Sequence, residues 1–88
     1  MAWSLYVLRC SDDSLYTGVT TDVARRLFRH AKGKAAKYTR SRLPVRLERS
    51  WPVGSRSEAL KLEHRVKKLS RQRKERLLLC DDLRAFLS

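Results

Sequence analysis

The sequence predicts an α+β domain with its elements in the order β-β-α-β-α-α. Three observations lead there. Two segments rich in β-branched and aromatic residues flank a cluster of turn residues, a third such segment follows Pro44, and capped stretches of helical periodicity lie on either side of that third segment. At 88 residues the chain holds one domain. A chain of this length buries only about 60 to 65% of its unfolded surface, which suffices for one thin core.

Trp3 to Cys10 forms the first strand and Leu15 to Thr20 the second, with Ser11-Asp12-Asp13-Ser14 as the turn between them. A helix then runs from Thr21 or Asp22 to about Lys32. It opens on capping residues, carries apolar Val23, Leu27 and Ala31, and stops at Gly33. Lys34 to Leu43 is basic and weakly patterned, a short helical turn and loop. The third strand spans Val45 to Trp51, and Pro52 to Gly54 closes it. Ser55-Arg56-Ser57-Glu58 has the form of a capping box and starts a helix whose apolar stripe is Ala59, Leu60, Leu62, Val66 and Leu69. After Ser70 a last helical stretch covers about Arg71 to Cys80. One domain therefore occupies residues 1–88, with a core over about residues 3–80 and a short tail that frays.

Charge sets the partner. The chain has 21 Lys or Arg against 9 Asp or Glu, a net of +12. Residues 21 to 80 alone hold 19 bases and 5 acids, net +14, and nucleic acid is the commonest partner of such a field. The longest wholly apolar runs, Leu5 to Leu8 and Leu77 to Cys80, fall far short of the roughly 20 residues that span a bilayer. With no signal-peptide pattern at the start, a cytoplasmic protein without a membrane partner is expected. Cys10, His30, His64 and Cys80 stand 20, 34 and 16 positions apart, which is no zinc-ligand spacing. The glycines at 18, 33 and 54 are too scattered to cradle a nucleotide cofactor.

Several residues break the amphipathic pattern. On a helix turning about 100° per residue, with Ala59 at 0°, Leu69, Leu62 and Val66 lie between about 280° and 340°, and Glu63 lies at about 40°. A carboxylate inside the core-facing arc needs a partner. Lys67, four residues on, is one; a divalent cation or a buried arginine is the other. In the first helix Arg26 and His30 flank the apolar stripe and can share a cleft, whereas Arg25 and Arg29 face solvent as phosphate-contacting charge, joined by Lys34, Lys37 and Arg40 in the basic loop. His30 on its own reads more readily as a satisfied core histidine. Tyr6, Tyr16, Tyr38, Arg26, His30 and Glu63 together supply a general acid and base, a guanidinium for phosphorane charge and a carboxylate for a cation, a set suited to phosphodiester hydrolysis.

These residues resemble the GIY-YIG endonuclease superfamily, in its small single-domain bacterial, YhbQ-like branch. Five ordered segments carry the likeness over roughly residues 3 to 77: Ser4-Leu5-Tyr6; Tyr16-Thr17-Gly18; Thr20 to His30; Gly33-Lys34-Ala35-Ala36-Lys37-Tyr38-Thr39; and Ser55 to Glu63. The first motif keeps only its tyrosine, and the second has Thr17 where isoleucine is usual; the reactive side chains remain. The resemblance implies a three-stranded antiparallel sheet flanked by helices, with a nuclease site on one side of it. It implies Tyr6 and Tyr16 as the tyrosines that activate water, Arg26 as the guanidinium on the pentacovalent phosphate, and His30 in proton transfer or phosphate binding. Tyr38 is carried over with them, and Glu63 would hold a single Mg²⁺ or Mn²⁺. The expected function is a metal-dependent DNA endonuclease acting on structured or damaged DNA. The rival readings are a non-catalytic nucleic-acid-binding module and a subunit targeted by a protein partner.

A shared site requires both tyrosines on one sheet face. Side chains alternate along a strand, so a two-residue Asp12-Asp13 turn would separate Tyr6 from Tyr16, whereas a three- or five-residue loop or a bulge brings them together. The charge gives a second expectation. With about five phosphates neutralised, the logarithm of the duplex binding constant falls with a slope near −4.5 against the logarithm of salt concentration, and substituting Arg25 or Arg29 weakens binding to all sequences alike. Titrations by fluorescence anisotropy at several salt concentrations check it; a slope near zero would contradict it.

Overall fold

A computed structural model describes residues 2–88 of the chain. Strands β1 (Trp3–Arg9) and β2 (Leu15–Thr20) lead into helices α1 (Val23–Ala31) and α2 (Lys37–Arg40). Strand β3 (Arg46–Gly54) follows, then helices α3 (Arg56–Lys67), α4 (Arg71–Leu77) and α5 (Leu83–Leu87). The three strands form one antiparallel sheet in the order β2-β1-β3. This is the α+β architecture expected, with its element order.

Register follows from the hairpin loop. Arg9 pairs with Leu15, so five residues, Cys10 to Ser14, make the connection. Asp12 accepts hydrogen bonds from the amide and hydroxyl of Ser14, and Asp13 takes a left-handed conformation (φ 69°) that an Asx residue tolerates. Leu8 stands opposite Tyr16 and Tyr6 opposite Gly18. Tyr6, Leu8 and Tyr16 therefore share a face.

Leu5 and Val7 point the other way. They meet Trp51 and Val53 of β3, Ala59, Leu62 and Val66 of α3, Leu77 of α4, and Leu83 and Leu87 of α5, which together form the hydrophobic core. Ser55 and Glu58 make the anticipated capping box at the start of α3. Leu60, included in the expected apolar stripe, is 39% exposed because it sits about 100° away from Ala59 around the helix.

Four differences from the sequence reading have physical causes. β3 continues through Pro52 to Gly54, because β3 is an edge strand, where a missing amide is tolerated. The last stretch ends as helix at Leu77 rather than Cys80. Beyond it Asp82 caps α5 by accepting from the Ala85 amide, and the core extends to Leu87 because Leu83 and Leu87 cover its end. In α1 the deepest residue is His30, while Val23 and Leu27 are half-buried and Ala31 is exposed. The helix is rotated so that His30, flanked by half-buried Val23, Arg26 and Leu27, faces the sheet.

A second feature ties the hairpin to the C-terminal helices. The Arg9 guanidinium, only 16% exposed, binds Glu48 at 2.6 Å, Glu75 at 2.7 Å and Asp13 at 2.9 Å, and Arg71 bridges Glu75 and Asp13 from outside. Glu48 lies at a register shift between β1 and β3, which turns it toward Arg9. Hydrogen bonds from Arg9 hold the Glu75 carboxyl at about 2 and push that of Glu48 down as well. A carboxyl lowered on folding stabilises the fold above its ordinary pKa near 4.5 and loses that contribution as pH falls toward the folded value. The melting temperature is thus expected to drop on acidification from about pH 5 toward about pH 2. Arg9→Met should cost about 2 kcal/mol at neutral pH and flatten that acid limb. Thermal unfolding of both proteins across this range is the measurement.

Candidate active site

On the face away from the core, Tyr6 is 3% exposed and His30 1% exposed. The Tyr6 ring leaves β1 and lies across Gly18 of β2. A Cβ built at Gly18 would stand 2.5 Å from the Tyr6 hydroxyl oxygen and 2.6 Å from Cζ, so the phenol can occupy this place only over a glycine. There the Tyr6 hydroxyl meets His30 Nε2 at 2.9 Å, and His30 Nδ1 meets Thr39 Oγ1 at 2.8 Å.

The protons along this chain follow from the far end. Thr39 donates its one hydroxyl proton to the Ala36 carbonyl at 3.2 Å, so its oxygen accepts from His30 Nδ1–H. Burial, assisted by the nearby Arg26 charge, lowers the His30 pKa and keeps the ring neutral. Nε2 is then an acceptor, and Tyr6 donates to it. Thr39 is 0% exposed and was not singled out from sequence, although it closes a segment whose tyrosine was. Nothing in a threonine within a basic loop marks it as the residue that sets a tautomer.

Burial raises the Tyr6 pKa, as do the neighbouring Tyr16 and Glu63, and Arg26 opposes them. Tyr6 thus holds its proton at neutral pH, and Arg26 of α1 and Glu63 of α3 both lie within electrostatic reach of its hydroxyl. Tyr16, half-buried, is tilted against Tyr6 with ring centroids 6.5 Å apart, and lies edge-on to His30 at 5.2 Å. Tyr38 stacks on Tyr16 at 6.0 Å and carries the Arg42 guanidinium 3.9 Å from its centroid. The six residues expected at the catalytic centre are brought to one region, with His30 sealed behind Tyr6 and Tyr38 at the rim.

Glu63 has the partner that its helical position suggested, Lys67 Nζ at 3.4 Å, with the carboxylate side chain 20% and the lysine 52% exposed. No cluster of three or more His, Cys, Asp or Glu exists among the described residues. Such a donor set fits a hard cation anchored by one carboxylate and completed by water and phosphate oxygens, and does not fit a closed zinc site. Arg25, Arg26 and Arg29 line a cleft of about 180 Å³ with Thr20, Thr21 and Asp22. Lys34, Lys37 and Arg40 line a smaller one, about 130 Å³, with Gly33, Ala35 and Ala36. Both expected groups of bases therefore border open surface. Gly18→Ala is expected to cost about 1 to 3 kcal/mol and to break the Tyr6–His30 hydrogen bond; thermal unfolding and the ¹⁵N shifts of the His30 ring read the two effects.

Comparison with known proteins places this geometry. The GIY-YIG catalytic domain matches residues 2–76. A UPF0213 protein of Cronobacter sakazakii is 53% identical over 76 residues, which is 86% of this chain and 80% of that one. A UPF0213 protein of Halalkalibacterium halodurans is 54% identical over 74 residues, covering 84% and 79%. Among solved structures, the solution NMR structure of UPF0213 protein BH0048 from Bacillus halodurans aligns with a TM-score of 0.59 at 52% identity, over 90% of this chain and 84% of that one. That of protein EF2693 from E. faecalis aligns with the same score at 41% identity, over 88% and 83%. The chain, folded around a tyrosine-histidine pair on a three-stranded sheet, belongs to the GIY-YIG catalytic-domain family, a nuclease-type domain.

Proposed function

We propose that the protein is a divalent-metal-dependent endonuclease that hydrolyses phosphodiester bonds in DNA, with structured or damaged DNA as its substrate class. The observation that carries the reading is the buried chain Tyr6–His30–Thr39. A basic module that only binds nucleic acid needs its Lys and Arg face; it has no use for a phenol held against an imidazole of fixed tautomer.

Because Tyr6 keeps its proton at neutral pH, it acts here as a relay. As a water oxygen attacks phosphorus and the bond from phosphorus to the leaving sugar oxygen breaks, one water proton passes to the Tyr6 hydroxyl oxygen while the phenolic proton passes to His30 Nε2, and the leaving oxygen takes a proton from solvent. His30, closed off from solvent, receives the proton and does not touch phosphate. Thr39 holds the ring so that Nε2 faces Tyr6. Tyr16, the more open of the two tyrosines, orients the water or the phosphate oxygens, and Arg26 offsets the charge that develops on the phosphorane. Tyr38 supports Tyr16 by stacking. Glu63 would hold the cation, which when bound supplies Lewis-acid polarisation of the phosphate. Arg25, Arg29, Lys34, Lys37 and Arg40 would hold the flanking backbone.

Glu63→Ala separates chemistry from binding. Cleavage of a panel of duplex, flap and junction DNA in Mg²⁺ or Mn²⁺ is expected to fall by about a hundredfold or more. Affinity should stay level or rise slightly, since a repulsive carboxylate is gone. The lost i,i+4 pair with Lys67 should cost only about 0.2 to 0.5 kcal/mol. Melting temperature, affinity and cleavage measured on one preparation decide it; a folded variant that binds and still cuts at the wild-type rate would remove Glu63 from the mechanism.

A further inference from the structure

Beside Tyr16 a cleft of about 330 Å³ opens at the β2 edge. Its walls are Leu15, Tyr16 and Thr17 of β2, Tyr38 of α2, Lys67 at the end of α3 and Lys74 of α4. Two ammonium groups border it, and no carboxylate does. Lys74 forms no ion pair among the described residues, because the acid next to it on α4, Glu75, is taken by Arg9 and Arg71. Lys67 has a half-exposed side chain that reaches Glu63 at 3.4 Å and also lies 6.0 Å from the Tyr16 centroid, so it can serve either neighbour. The aromatic wall is held in place by the Tyr16–Tyr38 stack and by Arg42 on Tyr38.

Two lysines, Lys74 without a counter-ion among the described residues and Lys67 paired with Glu63 outside the cleft, set against apolar and aromatic surface, form a receptor for a phosphate with a sugar attached. Tyr16 belongs both to this cleft and to the catalytic centre. From that shared wall we infer that the cleft is the subsite for the nucleotide next to the scissile phosphate. Its phosphate lies between Lys67 and Lys74, and its sugar rests on Leu15 and the tyrosine edges. The inference rests on the nuclease reading above. Ammonium contacts to phosphate carry no base information, so the subsite grips any sequence.

The test is a set of oligonucleotides, each with one phosphate replaced by an uncharged methylphosphonate at successive positions, bound in EDTA so that no cleavage intervenes. Lys74→Gln is expected to lower affinity about tenfold, and Lys74→Arg to restore most of it. At one position of the scan the methylphosphonate should weaken wild type by a similar factor and leave Lys74→Gln unchanged, since the contact is already lost. Lys61→Gln, on the exposed face of α3, is the control for loss of one remote charge. If Lys74→Gln matches that control, or its effect adds fully to every methylphosphonate, the subsite is wrong while the nuclease reading stands. If wild type binds and cleaves no oligonucleotide, the nuclease reading itself falls. Melting temperatures show that each variant is folded.

Discussion

A phenol can reach across its neighbouring strand only where that strand has no side chain. The placement of Tyr6 over Gly18 is the constraint from which the rest of the site follows. It sets the hydroxyl against His30, which draws α1 onto the sheet, and His30 in turn needs Thr39, which brings in α2. Each partner is buried, and among the described residues no buried side-chain nitrogen or oxygen lacks a hydrogen-bond partner, as a polar cluster under a thin helical layer requires. The cost of removing one partner therefore exceeds the worth of one hydrogen bond, because the others would be left unsatisfied.

The two sheet faces divide the work. One is apolar and carries stability, through Leu5, Val7, Trp51 and Val53 against α3, α4 and α5. The other carries the Tyr6–His30–Thr39 chain and the candidate site. Acids are distributed accordingly. Asp13, Glu48 and Glu75 surround Arg9; Asp12 pairs with Arg42, Asp81 with Arg49 and Glu58 with Arg84; Asp22 and Asp82 cap helices. Of the acids only Glu63, paired with Lys67, lies within electrostatic reach of the Tyr6 hydroxyl. The surplus of bases is thus left to face solvent with few internal counter-ions, which is the condition for a polyanion to displace small ions from it.

Much of this was legible in the sequence. The hairpin, the capping box and the order of elements were readable because each has a local signature, in turn chemistry or helical period, that tertiary packing does not override. Arg26 and His30 stood out because their angular position disagreed with their polarity, and Glu63 for the same reason. Other features had no local mark. Thr39 matters only through a histidine nine residues away, Arg9 through a glutamate 66 residues away, and Pro52 through the position of its strand at the sheet edge. The C-terminal turn from Leu83 to Leu87 is too short for its period to be read, and is helical because the core has room for Leu83 and Leu87. Long-range partnership is what a one-dimensional reading misses.

The five-residue loop from Cys10 to Ser14 has a bearing on how this domain can vary over evolutionary time. A residue added to or removed from that loop changes its length and leaves Arg9 opposite Leu15, so every side chain stays on its own side; only a one-residue slip of β2 against β1 would carry Tyr16 to the core face. The pairing of β1 with β3 is set separately and would not notice either event. Length variation at the hairpin tip should therefore come in single steps as readily as in double ones among chains that keep the Leu8–Tyr16 pairing. A chain in which β2 has slipped by one residue should show an added bulge in β2, or should have lost the second tyrosine from that face.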